Sequence, residues 1–506
     1  MSEEQSIPRP ADAAPANHGG YSPEQFSEAL GHIERWARTY LESLPDRPAG
    51  AQRGPGETLA SLDPHPPAQG EGMAMWGRVG DEMRSTIEPG LMHWQSPAFF
   101  AYFPCSSSLP GVMGELASAV LNVNGMLWST SPSATELEMR VLDWCAELFG
   151  LPEAFRFDAA GSSGGGCIQG TASEGALASL CAARKRKVDA GRERSGMCVY
   201  TSTQAHSSII KAAMVAGLAD GPDDRSRVRL IETDGGLAMS THALREAIER
   251  DLDAGLTPCM VSTTQGTTST GAFDPLPEIG EMLSMMPSSK RPWLHVDAAW
   301  AGVAAVCRQF RGVLAGVEHA DSLCINPHKW LMTNFDCDLF WVKDRASLTG
   351  AMSITPDYLR NPQSDAGEVV DYRDWHVPLG RRMRALKLWW VLRYFGADGL
   401  RAHIEHHVRL AEQVEACIRE EPRLRLAHER SLSLVCFAVV GEDERTKDLI
   451  DRINARGRVL LTRTRVPVEG VSRWVARVAI GASSVEAKHI EILIEELRSA
   501  LDEVVQ

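Results

Sequence analysis

The sequence predicts an α/β fold: a mainly parallel sheet covered by helices on both faces, followed by a small α+β domain. Three observations predict it. Six short apolar runs, Met197–Ser202, Val228–Ile231, Pro258–Thr264, Trp293–Val296, Ser322–Ile325 and Asp338–Val342, are separated mostly by helical patterns. That alternation is what parallel strands joined by crossover helices produce. Past Trp389 the order changes to strands interleaved with fewer helices, as an antiparallel sheet requires. The chain has 506 residues, 44% hydrophobic and 23% charged, which is enough for a large core and two or three domains.

Taken in order, Met1 to Gly20 is rich in Ala, Pro and polar residues and is expected to be a disordered tail. Residues 21–107 are expected to form an N-terminal helical segment. Ser22 caps its first helix, with Pro23 at the first helical position and Gln25 closing a capping box. Phe26, Leu30, Ile33, Trp36 and Tyr40 recur at helical spacing. Arg47 to Gly72 carries many Pro and Gly residues and reads as loop. Met73 to Ile87 reads as another helix. His93 to Pro104 is aromatic and proline-bearing, which suits a loop plugged into an apolar core.

Residues 108–386 are expected to be the large domain. Leu109–Asn124 and Ser133–Phe149 read as helices, the second opening on a Ser133/Glu136 capping box. Residues 387–506 are expected to be the small α+β domain. Its long helix runs from about Asp398 to Glu420. Strands lie near Arg423–Ala427, Leu432–Val440, Val459–Arg465 and Val475–Ile480, with a helix over Lys447–Ala455. The last helix, Ser484–Val504, puts Ile490, Leu493, Ile494, Leu497 and Leu501 on one face.

The net charge of −14 speaks against a nucleic-acid or anionic-membrane partner. The 11 cysteines are an odd number without a Cys-x-x-Cys pair, as for reduced thiols in a cytoplasmic protein. The acidic N-terminus has no apolar core and is not a signal peptide. No apolar run is long enough to cross a bilayer. His403-Ile-Glu-His-His407 departs from His-Glu-x-x-His and sits on a helix that reads as exposed, so no metal site is predicted.

Chemistry concentrates at strand ends, where parallel sheets hold ligands. His206, Thr268, Asp297 and Lys329 all lie at or soon after such ends. Trp293 to Gly302 delivers Asp297 at the end of an apolar strand. Lys329 follows 32 positions later, after Asn326-Pro-His. A desolvated Lys sheds its proton readily and can form a Schiff base. Paired with a strand-end Asp, it fits the lysine and ring-nitrogen carboxylate that pyridoxal phosphate needs. Gly161 to Glu174, rich in Gly and hydroxyl residues ahead of a helix, reads either as a simple turn or as a phosphate cup. It has neither a Walker A nor a dinucleotide spacing.

Asn326-Pro-His-Lys-Trp330 and His295-Val-Asp-Ala-Ala-Trp-Ala-Gly302 resemble the group II pyridoxal-phosphate amino-acid decarboxylases, aromatic-L-amino-acid decarboxylases most of all. The resemblance runs from about Pro89 to the C-terminus. It implies fold type I, with a mainly parallel seven-stranded sheet, and a homodimer with its active site at the interface. It implies Lys329 as the Schiff-base lysine and Asp297 as the partner of the pyridine nitrogen. His206, in Gln204-Ala-His-Ser-Ser208, would stack on the ring. Thr171, Ala172 and Ser173 would cup the phosphate, with Thr268, Asn326 and His328 as further cofactor contacts.

The resemblance also places Phe103 and Pro104 in the substrate pocket, with Asn124 and Met126 near it. Cys105 stands where the resembled enzymes carry a Thr. Asn124 and Met126 replace more apolar or aromatic residues and could favour a polar or acyclic substrate. Asn361 to Glu368 resembles a lid. Tyr358, at its start, would return the proton to Cα, and a Phe there accompanies conversion to an aldehyde. Arg381 and Arg382 resemble a supporting arginine pair. The implied activity is decarboxylation of an amino acid, most readily Trp, Tyr, Phe or dihydroxyphenylalanine. An aldehyde synthase, a decarboxylase of a non-aromatic amino acid and a catalytically silent scaffold are the alternatives.

Overall fold

A computed structural model describes residues 19–354, 362–468 and 470–505. They fall into two compact units, divided between His93 and Trp94. In the first, helix α1 (Pro23–Ser43) starts as its sequence dictates: Ser22 Oγ accepts the Gln25 N–H at 3.2 Å, and Gln25 Oε1 accepts the Ser22 N–H at 2.8 Å. Glu88 is buried there and accepts the Trp36 indole N–H at 2.7 Å. The helix expected over Met73–Ile87 is broken into a 3₁₀ stretch (Gly72–Gly77), one α turn (Val79–Glu82) and a π turn (Met83–Ile87). Gly72, Gly77 and Gly80 punctuate it, and glycine weakens a continuous helix.

The second unit carries two sheets. The larger is made of β1 (Gly165–Gln169), β2 (Met197–Ser202), β3 (Val228–Ile231), β4 (Thr257–Thr264), β5 (Trp293–Asp297), β6 (Ser322–Ile325) and β7 (Asp338–Val342), in the order β1-β7-β6-β5-β4-β2-β3. β2 to β6 pair in parallel, while β7 runs antiparallel to both β6 and β1. This is the predicted mainly parallel seven-stranded sheet.

Its one unforeseen strand is β1, hidden in the glycine-rich stretch that reads as a turn. The glycines there answer close packing. A Cβ at Gly165 would lie 2.4 Å from the Phe157 ring, and one at Gly166 would lie 2.7 Å from the Trp341 ring.

Helices α2 (Leu109–Leu121), α3 (Pro132–Phe149), α4 (Ala172–Asp189), α5 (Ser208–Val215), α6 (Thr241–Asp253) and α7 (Leu276–Ser284) precede the short helix α8 (Pro327–Trp330) and α9 (Arg345–Met352). α3 buries Val141, Leu142, Cys145 and Phe149 in one core cluster, and α4 buries Ala176, Leu180 and Ala183 in another. The capping box expected at Ser133 is not formed. Ser131 is the N-cap, Pro132 opens the helix, and Glu136 Oε1 instead accepts the Trp128 indole N–H at 2.8 Å.

Helix α10 (Ala385–Glu420) starts earlier than its sequence suggests and is kinked at Gly396, where φ is 61° and ψ 179°. The second sheet has the order β10-β11-β9-β8, all antiparallel, from β8 (Leu424–Leu426), β9 (Leu434–Val439), β10 (Thr462–Val468) and β11 (Val471–Ala479). Helices α11 (Asp443–Arg456) and α12 (Ala487–Val504) cover it. α12 buries Ile490, Leu493, Leu497 and Leu501, each worth roughly 1.5–3 kcal/mol of burial.

Candidate active site

The ends of β1, β2, β4, β5 and β6 bring the predicted residues to one edge of the large sheet. Asp297 closes β5, in register with Thr264 of β4 and Cys324 of β6. It is 8% exposed, and its Oδ1 accepts the Ala299 N–H at 3.0 Å. Asn326 leaves β6, its N–H bonded to Ala299 O at 3.0 Å, and its carbonyl accepts the Lys329 N–H at 3.0 Å. The tight Asn-Pro turn thus sets Lys329 on α8, one strand away from Asp297. The Asn326 Oδ1 atom is buried without a hydrogen-bond partner among the described residues.

His206 lies in the loop after β2. Burial lowers its pKa, the Lys329 charge lowers it further, and the Asp297 carboxylate opposes both. One imidazole therefore feels both the lysine and the aspartate. His206 Nδ1 accepts the Ser208 N–H at 3.2 Å, which leaves the proton of the neutral ring on Nε2. Thr171 caps α4 through its backbone, with no side-chain cap bond. Ala172 and Ser173 form the first turn, whose N–H groups have no carbonyl of their own helix to meet. Thr268 is exposed, next to Ser269, whose Oγ donates to Gln204 Oε1 at 2.7 Å and ties this loop to that of His206.

An aromatic stack borders the lysine. The Phe103 ring centroid is 5.6 Å from Lys329 Nζ and 4.4 Å from Trp300, with the two rings 18° from parallel. Trp300 stacks on Trp330 at 5.6 Å, and the Trp330 indole N–H donates to His407 Nδ1 at 2.8 Å. His403 and His407 are therefore not on an exposed helix face, as their sequence suggests. They are buried and support the stack. Pro104 is fixed against Gly481, where a Cβ would fall 2.1 Å from Pro104 Cγ.

His328 is built into the frame. Its Nδ1 accepts the Cys337 N–H at 2.9 Å, its carbonyl accepts the Ser106 N–H at 2.9 Å, and burial with the neighbouring Lys329 charge pushes its pKa down to about 3. Asn124 is exposed; its Oδ1 accepts the Arg381 N–H at 2.9 Å and its Nδ2 faces Met126 Sδ at 3.5 Å. The hydrogen bonds of Asn124 and the Met126 carbonyl run to Thr130, Arg381 and Arg373 rather than to the Lys329 group. Tyr358 lies outside the described residues, as does part of the expected lid. Arg381 is the buried member of the arginine pair, held by Glu138 at 2.6 and 3.2 Å and by Ile168 O at 2.9 Å.

Arg477 escaped the sequence reading. It reaches in from β11, 4% exposed, with Cζ 5.1 Å from the Phe103 centroid. Nε donates to Ser269 O at 3.0 Å, while Nη2 is buried without a partner among the described residues. An arginine between apolar residues of a buried strand was the available signal, since charged side chains are rarely buried without a function or a partner.

The parts fit pyridoxal phosphate: an amine on Lys329, a carboxylate on Asp297, a helix N-terminus for a phosphate, and a buried Asn326 amide whose oxygen has no partner among the described residues, so that the amide can be turned over to present its N–H donors. The family model described as "Pyridoxal-dependent decarboxylase conserved domain" matches residues 55–440. The chain belongs to the pyridoxal-dependent decarboxylase family. Its cofactor is pyridoxal phosphate, and it is an amino-acid decarboxylase.

This decarboxylase is 42% identical to a phenylacetaldehyde synthase of Arabidopsis thaliana, over 92% of this chain and 94% of that one. It is 39% identical to an aromatic-L-amino-acid decarboxylase of Rattus norvegicus, over 92% and 95%. The decarboxylase also superposes on the crystal structure of Oryza sativa TDC with pyridoxal phosphate and tryptamine. The TM-score is 0.90 at 35% identity, over 96% of this chain and 100% of that one. Among the described residues, no group of three or more His, Cys, Asp or Glu side chains is placed to hold a metal ion.

Proposed function

We propose that this decarboxylase acts on an aromatic L-amino acid, releasing carbon dioxide and the aromatic amine. The observation that carries the reading is the Phe103–Trp300 stack beside Lys329, with the Arg477 guanidinium over the same Phe103 ring. A flat apolar wall beside the reacting amine suits a ring, because stacked aromatic pairs add about 0.5–1.5 kcal/mol beyond area burial. The Arg477 Nη2 hydrogens are free to orient an α-carboxylate, and a charge-assisted bond in a buried site is strong.

Pyridoxal phosphate, when bound, supplies the electron sink for the breaking Cα–carboxylate bond. Lys329 provides the nitrogen that holds it. Asp297 provides the anion that keeps the ring nitrogen protonated, and His206 offers a neutral imidazole face. Asn326 and the first turn of α4 hold the phosphate end. Tyr358 returns the proton to Cα.

The homodimer and the cytoplasmic location belong to the same proposal. α2 leaves Leu109 63% and Val120 50% exposed, with Met113 between them on the same side, an apolar face suited to a second copy. Asn124 and Met126 follow it and would serve the partner's pocket. All eleven cysteines are free, in keeping with a reducing compartment. No described helix is long and apolar enough to cross a membrane.

The synthase relative favours a second reading, oxidative conversion to an aldehyde with oxygen and water consumed and carbon dioxide, ammonia and hydrogen peroxide released. Tyr358 speaks for the amine. The test is to incubate the purified protein with tryptophan, tyrosine, phenylalanine and dihydroxyphenylalanine, and to measure amine, aldehyde and peroxide. Amine without peroxide is expected. Aldehyde with peroxide would install the second reading, and no aromatic product would overturn both. Lys329→Ala should abolish turnover and the absorbance of bound cofactor.

A further inference from the structure

Asp338 is a buried acid that the reaction above leaves unused. It opens β7 at the sheet edge that carries Asp297, is fully buried, and neither carboxylate oxygen has a hydrogen-bond donor among the described residues. A Cβ at Gly175, in the first turns of α4, would lie 3.3 Å from Asp338 Oδ2 and 3.5 Å from Cys324 Cβ. The Cys324 thiol in turn lies 3.9 Å from Asp297 Oδ1. Asp338 thus looks towards the Asp297 corner, in space that glycine leaves open. The charges that act on it are Asp297 from β5, Glu174 from α4 and Lys329 from α8.

A carboxylate cannot stay ionised in such a place without donors. Burial, Asp297 and Glu174 all raise its pKa well above the usual carboxylate range, and Lys329 alone opposes them. Directly opposite on β1 stands Gln169, whose Oε1 is buried and also without a partner among the described residues. Opposed residues of an antiparallel pair carry their Cβ atoms about 4.5–5.5 Å apart on one face. Two buried acceptors on paired residues, each lacking a donor, are reconciled by one proton.

We propose that Asp338 is a neutral carboxylic acid in the folded protein and that it donates its proton to Gln169 Oε1, opposite it on β1. It acts as a positioning residue. The corner is then spared a further buried charge beside those of Asp297 and Glu174, and Asp338 ties β7 to β1. The opposite arrangement, with the Gln169 amide turned over to donate to an ionised Asp338, would add one more negative charge there.

The two arrangements differ in protons, so pH separates them. Full-length holoenzyme and its Asp338→Asn variant are compared by urea unfolding between pH 6.5 and 8. Asparagine has the shape of the neutral acid and no proton to lose. The unfolded wild type releases the Asp338 proton and the folded protein keeps it. The folded-to-unfolded ratio of the variant relative to wild type should therefore rise about tenfold per pH unit. A pH-independent difference overturns the proposal.

If the Asn variant fails to fold, wild type with isotope-labelled aspartate is examined by infrared spectroscopy at pH 8. A protonated-acid carbonyl band is expected, shifted in Gln169→Leu, which removes the acceptor. A spectrum with ionised carboxylates alone, or a band indifferent to Gln169→Leu, refutes the proposal. Neither measurement depends on turnover, so its failure leaves the decarboxylase reading standing.

Discussion

Five histidines make this protein acid-sensitive in a way the structure quantifies. His295, His328, His376, His403 and His407 are buried, none more than 7% exposed. Burial is the largest cause of a lowered pKa in each. It falls to about 4 for His295 and His403, to about 3 for His328 and His376, and well below the usual value for His407. In the unfolded chain all five titrate near pH 6.5. Between about pH 6.5 and 4 the unfolded state therefore binds more protons, and stability falls as the pH falls.

His295, His328, His376 and His403 each contribute about 1.4 kcal/mol per pH unit in that window, so roughly 2 kcal/mol at pH 5 and ~8 kcal/mol for the four, and His407 acts in the same direction. Two buried acids act with the opposite sign. Asp274 is raised to about 6 by burial, although the Met239 and Thr264 N–H groups bond to it. It returns about 1 kcal/mol between pH 6 and 5, and a neutral Asp338 acts in the same direction. The four histidines and Asp274 together give a net loss of ~7 kcal/mol from pH 7 to 5, with His407 and Asp338 acting in opposite senses, comparable with the whole stability of many proteins, about 5–15 kcal/mol.

Urea unfolding at fixed protein concentration across that range measures it, and His376→Asn should remove about 2 kcal/mol of the drop at pH 5. A loss below about 2 kcal/mol between pH 7 and 5 would refute the reasoning, because it would mean that these rings are protonated or wet in the folded state.

Three further outcomes follow from single contacts. Glu138→Gln leaves the Arg381 guanidinium buried without its counter-charge and should cost about 3–5 kcal/mol, read as a lower unfolding midpoint. Arg477→Met should lower kcat/KM about 10–100-fold, the worth of a charge-assisted bond of roughly 1.5–3 kcal/mol, while the absorbance of bound cofactor persists; an unchanged kcat/KM would remove Arg477 from the substrate site. Trp330→Phe keeps a ring on Trp300 but strips the donor from His407 Nδ1, and should destabilise the protein by about 1–3 kcal/mol on chemical denaturation.

The sequence by itself carried whatever depends on neighbours along the chain. Strand and helix periodicity revealed six of the seven strands of the large sheet, and strand ends placed Asp297, His206 and Lys329, because a parallel sheet exposes its ligand edge wherever its strands stop. The motifs around Asp297 and Lys329 also carried the family and its cofactor.

Tertiary structure decided what depends on distance across the fold. β1 was hidden because its glycines answer to Phe157 and Trp341, which are adjacent only in space. Arg477 joined the site because β11 folds back over Phe103. The histidines of α10 became internal when Trp330 needed an acceptor. Asp338 and Gln169 came face to face through an antiparallel register that no local pattern encodes. Burial and pairing set protonation, and both are properties of the packed chain rather than of any one segment of it.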